Sequence, residues 1–206
     1  MIFSSTCVAV FIKMRVLVVG DSHCREMAED FGELVPDIPV LIVSKGRDTS
    51  LVRAEYFRQL AIVREFAPSH VVVHSGHNDL SYHWRYNLEP TRLEDFYPIL
   101  EEFICILKSE NPGALLYVSS IFPRCIGRGF NEADRLMYNR LCVRCGELTR
   151  SSGNKDGYFT MLNNPLWVSV RKRIERSELY MPDGLHLTKV GRRAVVKHWI
   201  SNMKLG

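Results

Sequence analysis

The stretch Val16-Leu17-Val18-Val19-Gly20-Asp21-Ser22-His23 decides the fold. Four consecutive apolar residues read as a strand buried on both faces, because a half-solvated strand would alternate apolar with polar. Gly20 ends the run and permits a sharp turn. Beyond it, apolar residues recur at helical spacing from Ser22 to about Glu33. Ser22 therefore stands where a strand hands over to a helix. In an open α/β sheet that is where ligands bind. The first turn of a helix also offers unpaired backbone N–H groups and the positive end of the helix dipole. Two readings of Ser22 follow. It is a plain helix N-cap, or a nucleophile whose hydroxyl lies beside an anion-stabilising backbone.

Outward from this stretch, the same alternation repeats. The first strand runs over Arg15–Val19, and further buried strands are expected at Val40–Val43, Val71–Val73 and Ala114–Val118, with a weaker fifth at Gly157–Leu162. Between them lie helical patterns at Leu51–Phe66, Leu93–Leu107 and Asn131–Thr149. Thr188 caps a final helix that reaches about Met203. Short apolar strands alternating with amphipathic helices imply a parallel sheet covered on both faces. No internal repeat, low-complexity tract or linker breaks the pattern, so residues 14–206 are expected to form one domain.

Composition supports a globular protein. The chain has 206 residues, of which 46% are hydrophobic and 24% charged, which suits a single domain with a substantial core. A net charge of +4, from 27 basic and 23 acidic residues, is too mild to imply nucleic acid by itself. The 6 cysteines are scattered through predicted strands and helices of a chain too long to need staples, so they read as reduced thiols of a cytoplasmic protein. Residues 1–13 are read as an N-terminal extension, with Met14 an alternative start. Met1–Ile12 is apolar but has neither a basic leader nor a clear cleavage site, so a secreted form is the minor alternative. No apolar run reaches the length of a membrane span.

The chemistry gathers at one sheet edge. The loops at 20–23, 44–49 and 75–79 each follow a strand, so in a parallel sheet they project from the same side. The turn at 183–186 precedes the last helix and can reach that side too. Ser22, Gly46, Asn78, Asp183 and His186 therefore converge. Acyl transfer needs this set. A serine hydroxyl is a weak nucleophile until a base takes its proton, and His186 can do so near neutral pH. An acceptor must hold the imidazole in one tautomer, and Asp183 is three residues back across Gly184. The developing oxyanion needs donors already in place. The N–H groups of Ser22 and Gly46 and the amide of Asn78 supply three.

Gly20-Asp21-Ser22, Gly46, Gly76-His77-Asn78-Asp79 and Asp183-Gly184-Leu185-His186 resemble, in order and spacing, the four blocks of the SGNH (GDSL-type) hydrolase family. The resemblance covers about residues 14–206. It implies a flavodoxin-like three-layer α/β/α sandwich around a five-stranded parallel sheet, and esterase activity. It assigns Ser22 as nucleophile, His186 as base, Asp183 as its orienter, and Ser22, Gly46 and Asn78 as the oxyanion hole. The substrate implied is an acyl ester, acetyl or other short-chain, or a lipid ester, with no cofactor. One departure is His23, where the common motif has leucine; that residue usually packs under the turn. Gly-Asp-Ser-His is also similar to the first block of esterase domains carried by some non-LTR retrotransposons. Relatives that have lost the triad bind RNA, whereas this chain keeps every catalytic residue.

Other clusters have plainer readings. His70, His74 and His77 have no acidic or cysteine partner at ligand spacing, which argues against a metal site. Cys142 and Cys145 lie inside a helical pattern with no second pair and read as two packed thiols, as does Cys24. Arg171, Lys172, Arg173 and Arg176, beside Trp167, form either a solvated helix face or a contact for the phosphates of RNA or an anionic membrane. That cluster motivates the rival class, an SGNH-fold binding module with little catalysis. Tyr82, Trp84 and Tyr86 either line an acyl pocket beside Asn78 or pack on the domain.

Overall fold

The structure is a computed structural model. It describes residues 14–44, 65–74, 102, 105–107, 109–119, 122, 158–159, 166 and 177–205. Among the described residues there are five strands, β1 (Val16–Gly20), β2 (Val40–Ser44), β3 (His70–His74), β4 (Leu115–Ser119) and the two-residue β5 (Tyr158–Phe159). Two α-helices are described, α1 (Met27–Leu34) and α2 (Lys189–Met203), with 3-10 turns at Ser22–Cys24 and Ser177–Leu179. The strands form one sheet in the order β2-β1-β3-β4-β5, and every pairing is parallel.

This order fixes where a site can form. The chain leaves β1 for β2 on one side and returns to β3 on the other. The strand order thus reverses between β1 and β3, and ligands bind outside the carboxyl ends of the strands at such a point. The register pairs Gly20 with both Ser44 and His74, so β1, β2 and β3 end level with one another. The expectation that the loops after these strands start from one edge is met.

β1 and β3 are buried along their whole length. Successive side chains of a strand point to opposite faces, so both faces of the sheet are covered. Val16–Val19 and Val71–Val73 form the middle of the core, with Met27, Phe31, Phe122, Val195, Val196 and Trp199 packed around them. Trp199 is fully buried and its indole N–H donates to the Ser119 hydroxyl at 3.2 Å, which satisfies the one polar atom of the ring.

The helix expected from Ser22 divides in two. Asp21, rather than Ser22, caps the first piece: its carboxylate accepts the backbone N–H of His23 at 3.0 Å. The tight i to i+3 bond from Cys24 N–H to Asp21 O, 3.1 Å, makes this piece a 3-10 turn. The α-helix proper begins at Met27. Gly20 also serves differently from expectation. It is the last strand residue, and a Cβ there would lie 2.5 Å from both the His74 carbonyl oxygen and the Cys24 sulfur. The glycine is needed for close packing, not for a turn. Of the fifth strand expected at 157–162, Tyr158–Phe159 is described and is a strand; the rest of that segment and the expected helices at 51–66, 93–107 and 131–149 lie wholly or mostly outside the described residues.

Helix α2 is built as expected. Thr188 is its N-cap and accepts the Gly191 N–H at 3.3 Å, and Lys204 closes it in a left-handed conformation. It packs along α1 through charge. Lys189 reaches Glu29 and Glu33 at 3.1 and 2.8 Å, Arg193 pairs with Glu33, and Arg192 reaches Glu26 and Asp30 at 2.5 and 3.2 Å. The exposed pairs contribute little. The Arg192–Asp30 pair is different, because Asp30 is fully buried. Burial pushes the Asp30 carboxyl above its usual value, against the hydrogen bond and charge of Arg192.

Candidate active site

Two segments far apart in sequence meet at the carboxyl end of β1. The first is the turn that carries Ser22. Ser22 is half-buried, directly after the buried Asp21. The second is a strap, residues 177–188, tied down at several points. Tyr180 bridges antiparallel to Leu187, Met181 N–H donates to His186 O at 2.8 Å, and Thr188 N–H donates to Leu179 O at 3.0 Å. The Thr188 hydroxyl adds a bond to Glu178 O. Gly191, one turn into α2, lies against the strap so closely that any Cβ would collide with the Leu179 carbonyl. The strap is thereby held to the first turn of α2.

At the tip of the strap, Gly184 adopts φ 67°, the left-handed region that suits glycine. Its N–H donates to Met181 O at 2.9 Å and closes the turn. This brings Asp183 and His186 together. The His186 ring Nδ1 lies 2.6 Å from Asp183 Oδ2, while Asp183 Oδ1 accepts the backbone N–H groups of Leu185 and His186, each at 2.9 Å. Partial burial raises the Asp183 pKa, but the hydrogen bond from the His186 ring and the two backbone donors outweigh it, so the carboxyl sits below its usual value. Asp183 is thus held as a carboxylate acceptor. The Nδ1 nitrogen then carries the proton, and Nε2 is left as the basic atom.

Ser22 and His186 line one cleft of about 230 Å³, with His23, Arg25, Glu26, Met181, Leu187 and Arg192. Among the described residues no hydrogen bond joins Ser22 to His186. Catalytic hydrogen bonds are often long in the absence of substrate. The structure thus brings together three of the residues singled out in the sequence, Ser22, Asp183 and His186. Gly46, Asn78, the 171–176 cluster with Trp167, the aromatics at 82–86, His77 and Cys142–Cys145 lie outside the described residues. Among the described residues no group of three His, Cys, Asp or Glu could hold a metal. Cys24 is a buried core thiol.

His23 is buried, and its ring stacks on the His186 ring with centroids 5.2 Å apart and planes at 27°. Its edges meet Phe122 at 5.8 Å and His74 at 6.2 Å, both nearly perpendicular. His74 in turn stacks on Phe122 at 3.9 Å and tilts against Trp199 at 6.0 Å. Motif reading could not find Arg192 in the cleft wall. A signal was present nonetheless: Glu26, at the N-cap of α1, and Glu29, Asp30 and Glu33 within it repeat at helical spacing, and Lys189, Arg192 and Arg193 do so on α2.

The fold is that of the GDSL-type (SGNH) hydrolases, an α/β fold with a parallel sheet. It matches a protein assigned as a GDSL-like lipase from Parabacteroides merdae with a TM-score of 0.72 at 13% identity, over 94% of this chain and 97% of that one. A lipase/acylhydrolase from Enterococcus faecalis matches with a TM-score of 0.68 at 16% identity, over 93% and 95%. An acetyl xylan esterase from Geobacillus stearothermophilus gives 0.64 at 13% identity, over 92% and 94%. No family model matches the sequence, and no curated protein matches it. At such identities the likeness establishes the fold, and function must be argued from the site.

Proposed function

We propose that this protein is a serine hydrolase of the SGNH type that cleaves an acyl ester, with an acetyl, other short-chain or lipid acyl group. The observation that carries the reading is the 2.6 Å contact between Asp183 and His186 in a cleft shared with Ser22. His186 Nε2 takes the proton of the Ser22 hydroxyl as Oγ attacks the ester carbonyl. The tetrahedral oxyanion is met by the N–H groups of Ser22 and Gly46 and the side-chain amide of Asn78. His186 then returns its proton to the departing alcohol, leaving an acyl-enzyme. Water, activated by the same imidazole, releases the acid and restores Ser22. Asp183 remains ionised throughout and stabilises the transient imidazolium. This cycle draws base, nucleophile and electrophilic donors from side chains and backbone, so it requires no metal or cofactor. The retrotransposon subgroup rests on the Gly20-Asp21-Ser22-His23 block alone.

The test is covalent labelling by a fluorophosphonate together with a p-nitrophenyl ester series of increasing acyl length. Wild type should label and hydrolyse, chelators should change neither, and Ser22→Ala should abolish both. Labelling of Ser22→Ala at the wild-type rate would sink the proposal. The chain-length profile selects between short-chain and lipid acyl groups.

A further inference from the structure

We propose that His23 is a positioning residue for His186: its stacked ring sets the plane in which the base presents Nε2 to Ser22. The proposal rests on the serine hydrolase reading above and adds a residue to it. A hydrogen bond to Asp183 fixes one vertex of the His186 ring. It leaves the ring free to swing about that vertex, and the His186 side chain is 42% exposed, so solvent does not restrain it. A flat surface under the ring removes this freedom. His23 supplies it, at 5.2 Å and 27°.

His23 is itself immobilised. It is 6% exposed, its backbone N–H is bound to Asp21, and Phe122 and His74 buttress it edge-on from outside the stack. It is also the residue directly after Ser22. The plane of the base is therefore referenced to the nucleophile's own turn, with one peptide bond between them. Positional error between base and nucleophile is costly, because a misplacement of about 1 Å can reduce a rate by about 10²-fold. An aliphatic side chain at position 23 would fill the space without defining a plane. An aromatic ring without nitrogen would define it.

The test compares wild type, His23→Leu and His23→Phe by kcat and KM on p-nitrophenyl acetate, by thermal melts, and by NMR of 15N-histidine-labelled protein. His23→Leu should lower kcat by about 10–100-fold with KM within about 2-fold, and His23→Phe should recover kcat to within about 3-fold. The His186 ring-proton shifts should move in His23→Leu and stay close to wild type in His23→Phe. A wild-type kcat in His23→Leu would overturn the proposal, as would equal losses in both variants with normal melts. If His23→Leu fails to fold, His23→Phe still decides: a normal rate supports the stack and a tenfold loss overturns it. If wild type neither labels nor hydrolyses, the hydrolase reading fails. The NMR arm then judges the stack alone, and His186 shifts unmoved by His23→Leu would overturn it.

Discussion

Asp183 holds His186 twice. Oδ2 meets the ring Nδ1 at 2.6 Å, and Oδ1 accepts the backbone N–H of the same residue at 2.9 Å. One carboxylate thus fixes both where the histidine stands and how its ring is turned. The two functions belong to different oxygens, so substitutions can separate them.

Asp183→Asn keeps an oxygen for the backbone donors and loses the acceptor for Nδ1–H. Its melt should stay close to wild type while kcat falls steeply; in the serine protease template the equivalent change costs about 10⁴-fold. Asp183→Ala loses both roles and should also melt lower. A lowered melt in Asp183→Asn would make Asp183 chiefly structural.

The depressed Asp183 pKa has a signed consequence for stability. The folded state favours the carboxylate, so the contribution is present above the unfolded-state pKa, about 3.9. It is lost as pH falls through the lower folded-state value. The melting difference between wild type and Asp183→Ala should be largest near neutrality and shrink as the solution is acidified below the ordinary carboxylate range. A difference independent of pH would assign it to packing instead.

Arg192→Leu should be strongly destabilising, by about 3–5 kcal/mol near neutral pH, because it strands the Asp30 carboxylate in the core. Asp30 already has a raised pKa. The variant's folded state should favour a protonated Asp30, so its deficit should grow as pH rises above about 4. Adding Asp30→Asn should recover much of the loss. Denaturant titrations of the two single variants and the double variant check this.

Gly20→Ala should destabilise the fold by about 1–3 kcal/mol, since the added methyl meets the His74 carbonyl and the Cys24 sulfur. The Ser22 turn starts one residue later, so kcat should fall with stability. Chemical denaturation and ester hydrolysis measure the two effects.

Asn78→Ala tests the oxyanion role assigned by the family resemblance. It should lower kcat by about 10²–10³-fold with KM little changed, because the donor acts on the transition state. A pure rise in KM would mean that Asn78 only positions substrate.

The parts of the fold legible in the sequence were those set by local rules. The unbroken apolar run of β1 announced a strand buried on both faces, and Thr188 announced α2 through its capping chemistry. Asp183 and His186 were legible because only a short glycine-containing turn separates them. What local rules could not show was which distant groups meet. Asp30 looks like a solvated helix residue until Arg192, 162 positions later, buries it. His23 looks like a departure from a leucine position until the His186 ring is laid over it. The division of the first helix was hidden for a related reason: the Asp21 carboxylate bonds locally to His23, and helical periodicity does not register such a bond.

The Arg192–Asp30 pair also imposes a timetable on the newly made protein. A ribosome adds about 5–20 residues per second, so the 162 positions that separate these partners take on the order of ten to thirty seconds to synthesise. Throughout that interval the acidic row of α1 is without its basic counterpart, and the Ser22 turn is without the strap that carries His186. In the proposed mechanism, a nascent chain held at that stage could be neither fully folded nor able to cleave an ester. Hydrolysis would begin only when α2 docks, so the first turnover would report that docking.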